Sequence, residues 1–213
     1  MSTDATPPAE RSRTQAERRA TTEARLLAAA YRIVADQGVR AVTTAAVGEL
    51  AGYSRGIVNH HFGSRAELMV RLAEATQRNF VPDPGPRRGR EHVLSVVDDY
   101  LALLHSSPAD LRVFLRLWAA VVGNDEPSLD EPFTRRDKFF RDYFEDAINE
   151  GVADGSIRAD IDPPATAVAI VGLIRGIAMQ CQYDPALTRD DRVHAAALAF
   201  VDGALSSRPP KPV

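Results

Sequence analysis

Apolar residues recur three and four positions apart along most of the chain, which is the spacing of one face of an α-helix. No segment of useful length alternates between apolar and polar residues as a β-strand does. The first helical segment begins at Thr14, which has Glu17 three residues later, or at Thr22, because threonine often caps helix N-termini. The pattern predicts an all-α protein of about nine helices, near residues 14–37, 43–51, 54–63, 64–80, 89–106, 108–123, 128–153, 163–182 and 189–205.

Three segments lack any apolar face. Residues 1–13 are rich in Pro, Ser, Thr and Arg, which predicts a disordered arm, and residues 207–213 predict a disordered tail. Residues 81–90, VPDPGPRRGR, contain three prolines and two glycines and predict a loop. We predict a three-helix helix-turn-helix domain at 14–63, followed by a larger helical domain at 64–206.

The second and third predicted helices are separated by Ala51-Gly52-Tyr53, a short turn of the kind found in helix-turn-helix units. Val58 and Phe62 lie four residues apart on the third helix and should pack against Val47 and Leu50 of the second. The opposite face carries cationic and amide side chains, which suit the base edges and phosphates of DNA. Its residues are Arg55, Gly56, Asn59 and His60, with Ile57 at the margin, where it suits a thymine methyl group.

Two adjacent histidines, His60 and His61, raise the alternatives of a metal site and of acid–base catalysis. Adjacent side chains on a helix diverge by about 100°, whereas metal ligands on one face are spaced three or four residues apart. No cysteine or carboxylate lies nearby in sequence to complete a ligand set or to orient an imidazole. We therefore expect no metal, no cofactor and no catalytic residue, and we expect His61 to pack, partly buried, beside Phe62.

The composition narrows the classes of protein further. Apolar residues make up 45% of the 213 residues, enough for a substantial core. No apolar run reaches the roughly 18 residues that span a bilayer, and the first residues do not resemble a secretory signal. A cytoplasmic protein without a membrane partner is the simplest interpretation. The net charge is +3 through Arg65 and −6 beyond it, as expected of a chain whose first part meets a polyanion.

Residues from about 22 to 72 resemble the DNA-binding domain of the TetR family of transcriptional regulators. The shared features are a glycine that closes the first helix, threonines before the second, a glycine before the third, a third helix that ends in His-Phe, and a basic residue that opens the fourth. In this sequence they are Gly38, Thr43-Thr44, Gly52, His61-Phe62 and Arg65.

The resemblance implies a role for each matching position. Thr43 and Thr44 match the family's cap before the second helix, and Thr44 matches a phosphate contact. Arg65 matches a lysine that holds the DNA backbone beyond the recognition helix. The positions that face the major groove are Arg55, Gly56, Ile57, Asn59 and His60.

One position departs from the family pattern. Asn59 stands where the family usually has a tyrosine that contacts phosphate, and its shorter amide suits a bidentate pair with adenine. Four arginines near the N-terminus either add minor-groove or phosphate contacts or only keep the arm soluble. They are Arg11, Arg13, Arg18 and Arg19.

The second part of the chain resembles the effector domains grouped with the choline-responsive regulator of betaine synthesis, in the runs FLRLWAA and GLIRGIAMQCQYDPAL. Its last two helices, at about 164–182 and 189–205, are rich in small apolar residues that let helices approach closely. We predict a homodimer in which these helices form a four-helix bundle. The alternative is that the small residues pack only within one chain.

Aromatic and polar residues in the middle helices predict a pocket for a small-molecule effector, although core packing explains their spacing equally well. The candidates are His105, Phe114, Trp118, Tyr143, Phe144, Ile177 and Gln180, and a wider set adds Leu117, Val121, Phe140, Ile174 and Met179. Cys181, the single cysteine, is either a redox sensor or a buried small apolar residue.

The leading hypothesis is a ligand-responsive DNA-binding regulator. Its simplest form is a repressor that binds a palindromic operator as a dimer and is released by an effector. A helical interaction module with a non-functional helix-turn-helix is the second class. An enzyme is the third, and the sequence has no G-x-S-x-G, phosphate-binding glycine loop, H-E-x-x-H or pair of carboxylates on one helical face.

Overall fold

The computed structural model describes residues 14–78, 85–187 and 190–206. These residues form nine α-helices and two short 3-10 turns, Val39–Ala41 and Pro127–Leu129, without a strand. The helices are α1 Gln15–Gln37, α2 Thr44–Ala51, α3 Arg55–Phe62, α4 Arg65–Gln77, α5 Gly89–Ser106, α6 Pro108–Val122, α7 Asp130–Asp154, α8 Pro163–Tyr183 and α9 Asp191–Leu205. The all-α prediction is confirmed. The predicted arm 1–13 and tail 207–213 lie outside the described residues.

Side-chain caps explain where the first helices begin. Thr14 caps α1: its Oγ1 accepts from the N–H of Glu17 at 3.2 Å, and the Glu17 carboxylate accepts from the N–H of Thr14 at 2.8 Å. Of the two predicted starts, Thr14 is therefore the observed one. Thr43, rather than Thr44, caps α2, because its Oγ1 accepts from the N–H of Ala46 at 3.0 Å.

Two apolar cores organise the molecule, and α6 contributes to both. The first core joins α1–α4 to α6 and the start of α7, and the second lies among α5–α9. Val113 and Leu117 of α6 belong to the first core, whereas Leu111 and Leu115 belong to the second. Any displacement of α6 therefore disturbs the packing on both sides.

Polar contacts also join α6 to the end of α1. The guanidinium of Arg116 donates to the carbonyl oxygens of Val34 at 2.7 Å and of Ala35 at 2.8 Å, in the last turn of α1. The hydroxyl of Tyr31 donates to the carboxylate of Asp110 at 2.5 Å. These bonds fix the position of α1 relative to α6.

α8 is apolar over most of its length, although a few polar residues interrupt the apolar run in its sequence. Among the described helices, it alone is long and apolar enough to cross a membrane, by length and composition. A third of its most apolar 18-residue stretch is buried within the chain. Its inner face packs in the second core through residues such as Ile170, Ile174 and Ala178. Its outer face carries small and apolar residues, and this exposed surface requires an explanation.

Candidate functional site

α3 buries one face and exposes the other. Val58 is fully buried and Phe62 is 6% exposed, and both belong to the first core. The side chains predicted to face outward are all exposed: Arg55, Gly56, Ile57, Asn59 and His60. The predicted orientation of the helix is confirmed. A cationic and amide-bearing surface is thus available to a ligand outside the protein.

A tight turn holds α3 at a fixed angle to α2. Gly52 adopts a left-handed conformation with φ of 76°, and the N–H of Tyr53 donates to the carbonyl of Gly48 at 2.7 Å. A Cβ atom on Gly48 would lie 2.8 Å from the carbonyl oxygen of Tyr53, so only glycine fits there without a shift of the backbone. Gly48 was not singled out from the sequence. A glycine inside a short helix is a signal for such a close approach, because glycine otherwise weakens a helix.

We predict that Gly48→Ala destabilises the protein by about 1–3 kcal/mol, because overpacking outweighs the gain of about 1 kcal/mol that alanine brings to a helix. Urea denaturation measures this change. Gly56→Ala is the control, since its Cβ would meet only Ser54 Oγ at an ordinary 3.6 Å. The prediction is wrong if the Gly48→Ala variant unfolds at a higher urea concentration than the wild type.

Leu50 does not face inward as predicted. Its side chain is 44% exposed, whereas Val47 is fully buried and Gly48 also lies inside. The turn after α2 crosses over Gly48, so the packed face is centred on Val47 and Gly48. Leu50 lies about 200° around the helix from Gly48, which places it at the edge of the packed face.

Arg65 contacts protein groups rather than pointing away from them. Its Nε donates to the carbonyl of Val42 at 2.6 Å, Nη2 donates to the carbonyl of Val39 at 3.3 Å, and Nη1 pairs with the carboxylate of Glu126. Glu126 is only 6% exposed and precedes the turn that leads into α7. The phosphate contact of Arg65 stays a prediction, and in the structure this guanidinium ties the start of α4 to Glu126, which lies between α6 and α7.

The two histidines of α3 differ in environment. His60 is exposed, whereas His61 is partly buried with its ring centroid 6.3 Å from that of Phe62. Burial lowers the pKa of His61, so the neutral form is favoured. The packing role predicted for His61 is confirmed. Within the part of the chain that the structure describes, no three His, Cys, Asp or Glu side chains are grouped so as to hold a metal ion.

A cavity of about 60 Å³ lies where α4 meets the helices of the second core. Its lining is mainly aliphatic and aromatic, with polar groups from α4, α6, α7 and α8. The lining residues are Thr76, Gln77, Tyr100, Leu103, Asp110, Leu111, Phe114, Arg136, Phe140, Val171, Ile174 and Arg175. They include Phe114 of the predicted pocket, and Phe140 and Ile174 of the wider set.

The other pocket candidates lie elsewhere. Phe144 is fully buried in the second core, and the hydroxyl of Tyr143 lies 2.8 Å from Nε2 of buried His92. Gln180 is exposed on α8. Helical spacing identifies the buried side of each helix, but the packing between helices decides which part of that side is left uncovered.

The remaining candidates line two further depressions. Trp118 lines an open groove of about 700 Å³ between α6 and the end of α8, and Ile177 lines a small one of about 10 Å³ beside α9. Cys181 is 3% exposed and burial raises its pKa, which favours the packing interpretation over a redox sensor. The side chain of His105 lies outside the described residues.

The two arginines in the cavity wall have different surroundings. Arg175 forms two hydrogen bonds with the Asp137 carboxylate, at 2.8 and 2.5 Å. Arg136 lies over the ring of Phe140, with its guanidinium carbon 4.4 Å from the centroid. Burial and the positive charge of Arg175 lower the pKa of Arg136 to about 10.

Comparison with known proteins identifies the family. Residues 89–206, more than half of the chain, match the model of the C-terminal domain of BetI-type transcriptional repressors. Residues 26–72 match the model of bacterial regulatory proteins of the tetR family. The chain belongs to the TetR family of transcriptional regulators. Members of this family, including the relatives below, are DNA-binding helix-turn-helix regulators and not enzymes.

Individual relatives of this TetR-family regulator agree in length and fold. The HTH-type transcriptional regulator CymR of Pseudomonas putida is 27% identical over 191 residues, which cover 87% of this chain and 92% of that protein. The crystal structure of the Pseudomonas aeruginosa repressor MexZ superposes with a TM-score of 0.72 at 23% identity, over 88% of this chain and 96% of that one. NalD, a repressor of an efflux pump in the same organism, has a TM-score of 0.72 at 16% identity, over 89% and 98%. These two structures establish the likeness of fold.

Proposed function

We propose that this TetR-family regulator is a repressor that binds a palindromic operator as a homodimer and leaves it when a small molecule occupies the cavity. The observation that carries the proposal is the orientation of α3, with Val58 and Phe62 buried and Asn59 and His60 exposed. A protein of this kind acts where its DNA is, in the cytoplasm.

The exposed residues of α3 suit distinct parts of a DNA groove. Asn59 and His60 present hydrogen-bonding groups for base edges, Arg55 suits guanine or phosphate, and Ile57 suits a thymine methyl group. Gly56 lets the helix backbone approach the duplex closely. Thr43 and Thr44 stand at the N-terminus of α2, where unpaired N–H groups and the helix dipole favour a phosphate.

We predict that Asn59→Ala weakens operator binding by about 1–3 kcal/mol and relaxes the base preference at one position of each half-site, because a base-edge contact is lost. His60→Ala is expected to act in the same way at a different position. Fluorescence anisotropy with operator and scrambled duplexes measures both effects.

Asn149→Ala is the matched control for Asn59→Ala. Asn149 is exposed on α7 and lies in the second part of the chain. Its replacement should leave both affinities unchanged. An equal loss of operator and scrambled binding in Asn59→Ala would contradict base recognition and indicate a phosphate contact.

The outer faces of α8 and α9 support a homodimer. Large apolar side chains are exposed there, with Val168 at 55% and Phe200 at 70%. Small residues flank them: Ala165, Ala169 and Gly172 on α8, and Ala196, Ala199 and Gly203 on α9. A Cβ atom on Gly172 or Gly203 would meet nothing within 4 Å in one chain. A second copy packed against this surface would cover the apolar residues and place two α3 helices on one palindrome.

The cavity contacts the helices that support α3. Thr76 and Gln77 in its wall are residues of α4, and Asp110 accepts the hydroxyl hydrogen bond of Tyr31 on α1. An occupant that displaces α4 or Asp110 therefore moves the DNA-binding helices of each subunit. A coupling of about 1–3 kcal/mol would weaken operator binding about 5–150-fold.

A gel-shift experiment with the DNA flanking the protein's own gene tests the proposal. We expect one duplex with a palindromic segment to be retarded by the wild type and much less by Asn59→Ala/His60→Ala. If no duplex is retarded at low salt, the proposal is wrong and the interaction-module hypothesis gains support.

A further inference from the structure

The cavity between α4 and the second core combines an apolar wall with two guanidinium groups. Seven of its twelve lining residues are aliphatic or aromatic, among them Leu103, Phe114 and Phe140. The lining holds two arginines, Arg136 and Arg175, and a single carboxylate, Asp110, which accepts the hydroxyl hydrogen bond of Tyr31. A neutral apolar occupant would leave these arginines without any new interaction.

We propose that the effector is a compact monocarboxylate with an apolar body, bound through its carboxylate at Arg136. This inference names the effector class and rests on the proposed function for its regulatory meaning. A planar guanidinium matches the two oxygens of a carboxylate, and the pair is strengthened where water is excluded. The apolar wall suits the rest of such a molecule.

The environment of Arg136 favours an incoming anion. Its charged form is disfavoured by burial and by the neighbouring charge of Arg175, as its lowered pKa indicates. Arg175 is already matched by the two oxygens of Asp137. A carboxylate in the cavity would interact favourably with the positive charge of both guanidinium groups.

Gln77 provides a second donor from the DNA-binding side of the cavity. Its side-chain Nε2 is buried and has no hydrogen-bond partner among residues 14–78, 85–187 and 190–206. A buried donor without a partner is unfavourable, and a carboxylate oxygen in the cavity would satisfy it. The same anion would then contact α7 through Arg136 and α4 through Gln77.

The size of the cavity limits the effector. A volume of about 60 Å³ accommodates about four to six water molecules at about 10–15 Å³ each. Short branched acids and a single-ring acid are therefore the appropriate probes. Isovalerate and benzoate serve as the acids, isovaleramide and benzamide as neutral molecules of the same shape, and inorganic phosphate as an anion without an apolar body.

Isothermal titration calorimetry with the full-length protein, free of DNA, tests the inference. We expect at least one acid to bind with a Kd of about 1 mM or tighter, and its amide and phosphate to bind much more weakly. Arg136→Met should weaken acid binding about 30-fold or more, whereas Lys138→Met on the exposed side of α7 should not.

Several outcomes would overturn the inference: no binding by either acid, equal binding of acid and amide, or unchanged affinity in Arg136→Met. Gln77→Leu provides a second variant if Arg136→Met does not fold, and it too should weaken acid binding selectively. Operator affinity, measured separately by anisotropy, tests the proposed function. A protein that binds the acid but no operator would leave the carboxylate site at Arg136 in place and remove both the proposed function and the role of the acid as an effector.

Discussion

Arg65→Ala is expected to lower the free energy of unfolding by about 2–4 kcal/mol, because it leaves the buried carboxylate of Glu126 without its cation. The guanidinium is about a third exposed, with side-chain exposures of 36% for Arg65 and 7% for Glu126, so the expected loss lies below that for a fully buried pair. The carbonyl groups of Val39 and Val42 each lose a hydrogen bond from the guanidinium as well, although that of Val39 keeps the N–H of Val42. Urea denaturation at neutral pH measures the change.

Arg40→Ala is the matched control, since it breaks a salt bridge on the same side of the molecule. Arg40 and Asp125 lie 2.6 Å apart, but their side chains are 84% and 44% exposed. Water and salt screen such a pair, so its loss should not measurably shift the denaturation midpoint. Glu126→Gln should reduce the cost of Arg65→Ala, because the group left behind is then neutral.

Operator binding distinguishes the two roles considered for Arg65. If the side chain holds α4 against the second part of the chain, its loss reduces stability and disturbs the position of α3. If Arg65→Ala lowers the affinity for every DNA sequence while the free energy of unfolding stays at the wild-type value, the guanidinium is a phosphate contact. That outcome would support the role implied by the family resemblance.

The features predicted well from the sequence depend on residues close together in the chain. Thr14 and Thr43 cap helices through N–H groups three residues away. Val58 and Phe62 share a face because four residues make about one helical turn. The chain therefore specifies, over short distances, both where α3 begins and which side of it is exposed.

The features that were missed depend on partners distant in the chain. Arg65 pairs with Glu126, 61 positions away, and Tyr31 with Asp110, 79 positions away. Nothing in the neighbourhood of either residue reveals such a partner. Tertiary contacts therefore give Arg65 a function that its position in a family motif does not indicate.

Which apolar residues line the cavity also could not be predicted from the sequence. Phe114, Phe140 and Phe144 all have the spacing of core residues, yet only Phe144 is fully covered, whereas the other two line the cavity. Arg136 and Arg175, which distinguish this cavity chemically, resemble ordinary surface charges in the sequence. Their importance follows from the way α7 and α8 pack around the space between them.

Phe200→Glu is expected to convert the proposed dimer to monomers and to abolish operator binding at concentrations where the wild type binds. Burying one phenylalanine contributes about 2 kcal/mol, and twofold symmetry counts it twice, so the dimer dissociation constant should rise about 1000-fold. Because Phe200 is 70% exposed in a single chain, the substitution should not unfold the subunit. Size-exclusion chromatography with light scattering measures the oligomeric state, and anisotropy measures operator binding.

Val122→Glu provides the control, since Val122 is an equally exposed apolar residue, at 69%, at the end of α6 rather than on α8 or α9. It should remain dimeric and bind the operator as the wild type does. If both variants dissociate, the interface extends to α6, and if Phe200→Glu stays dimeric the subunits meet elsewhere. The apolar composition of α8 would then lack its explanation, because Val168 and the adjacent small residues would remain exposed to water in the functional protein.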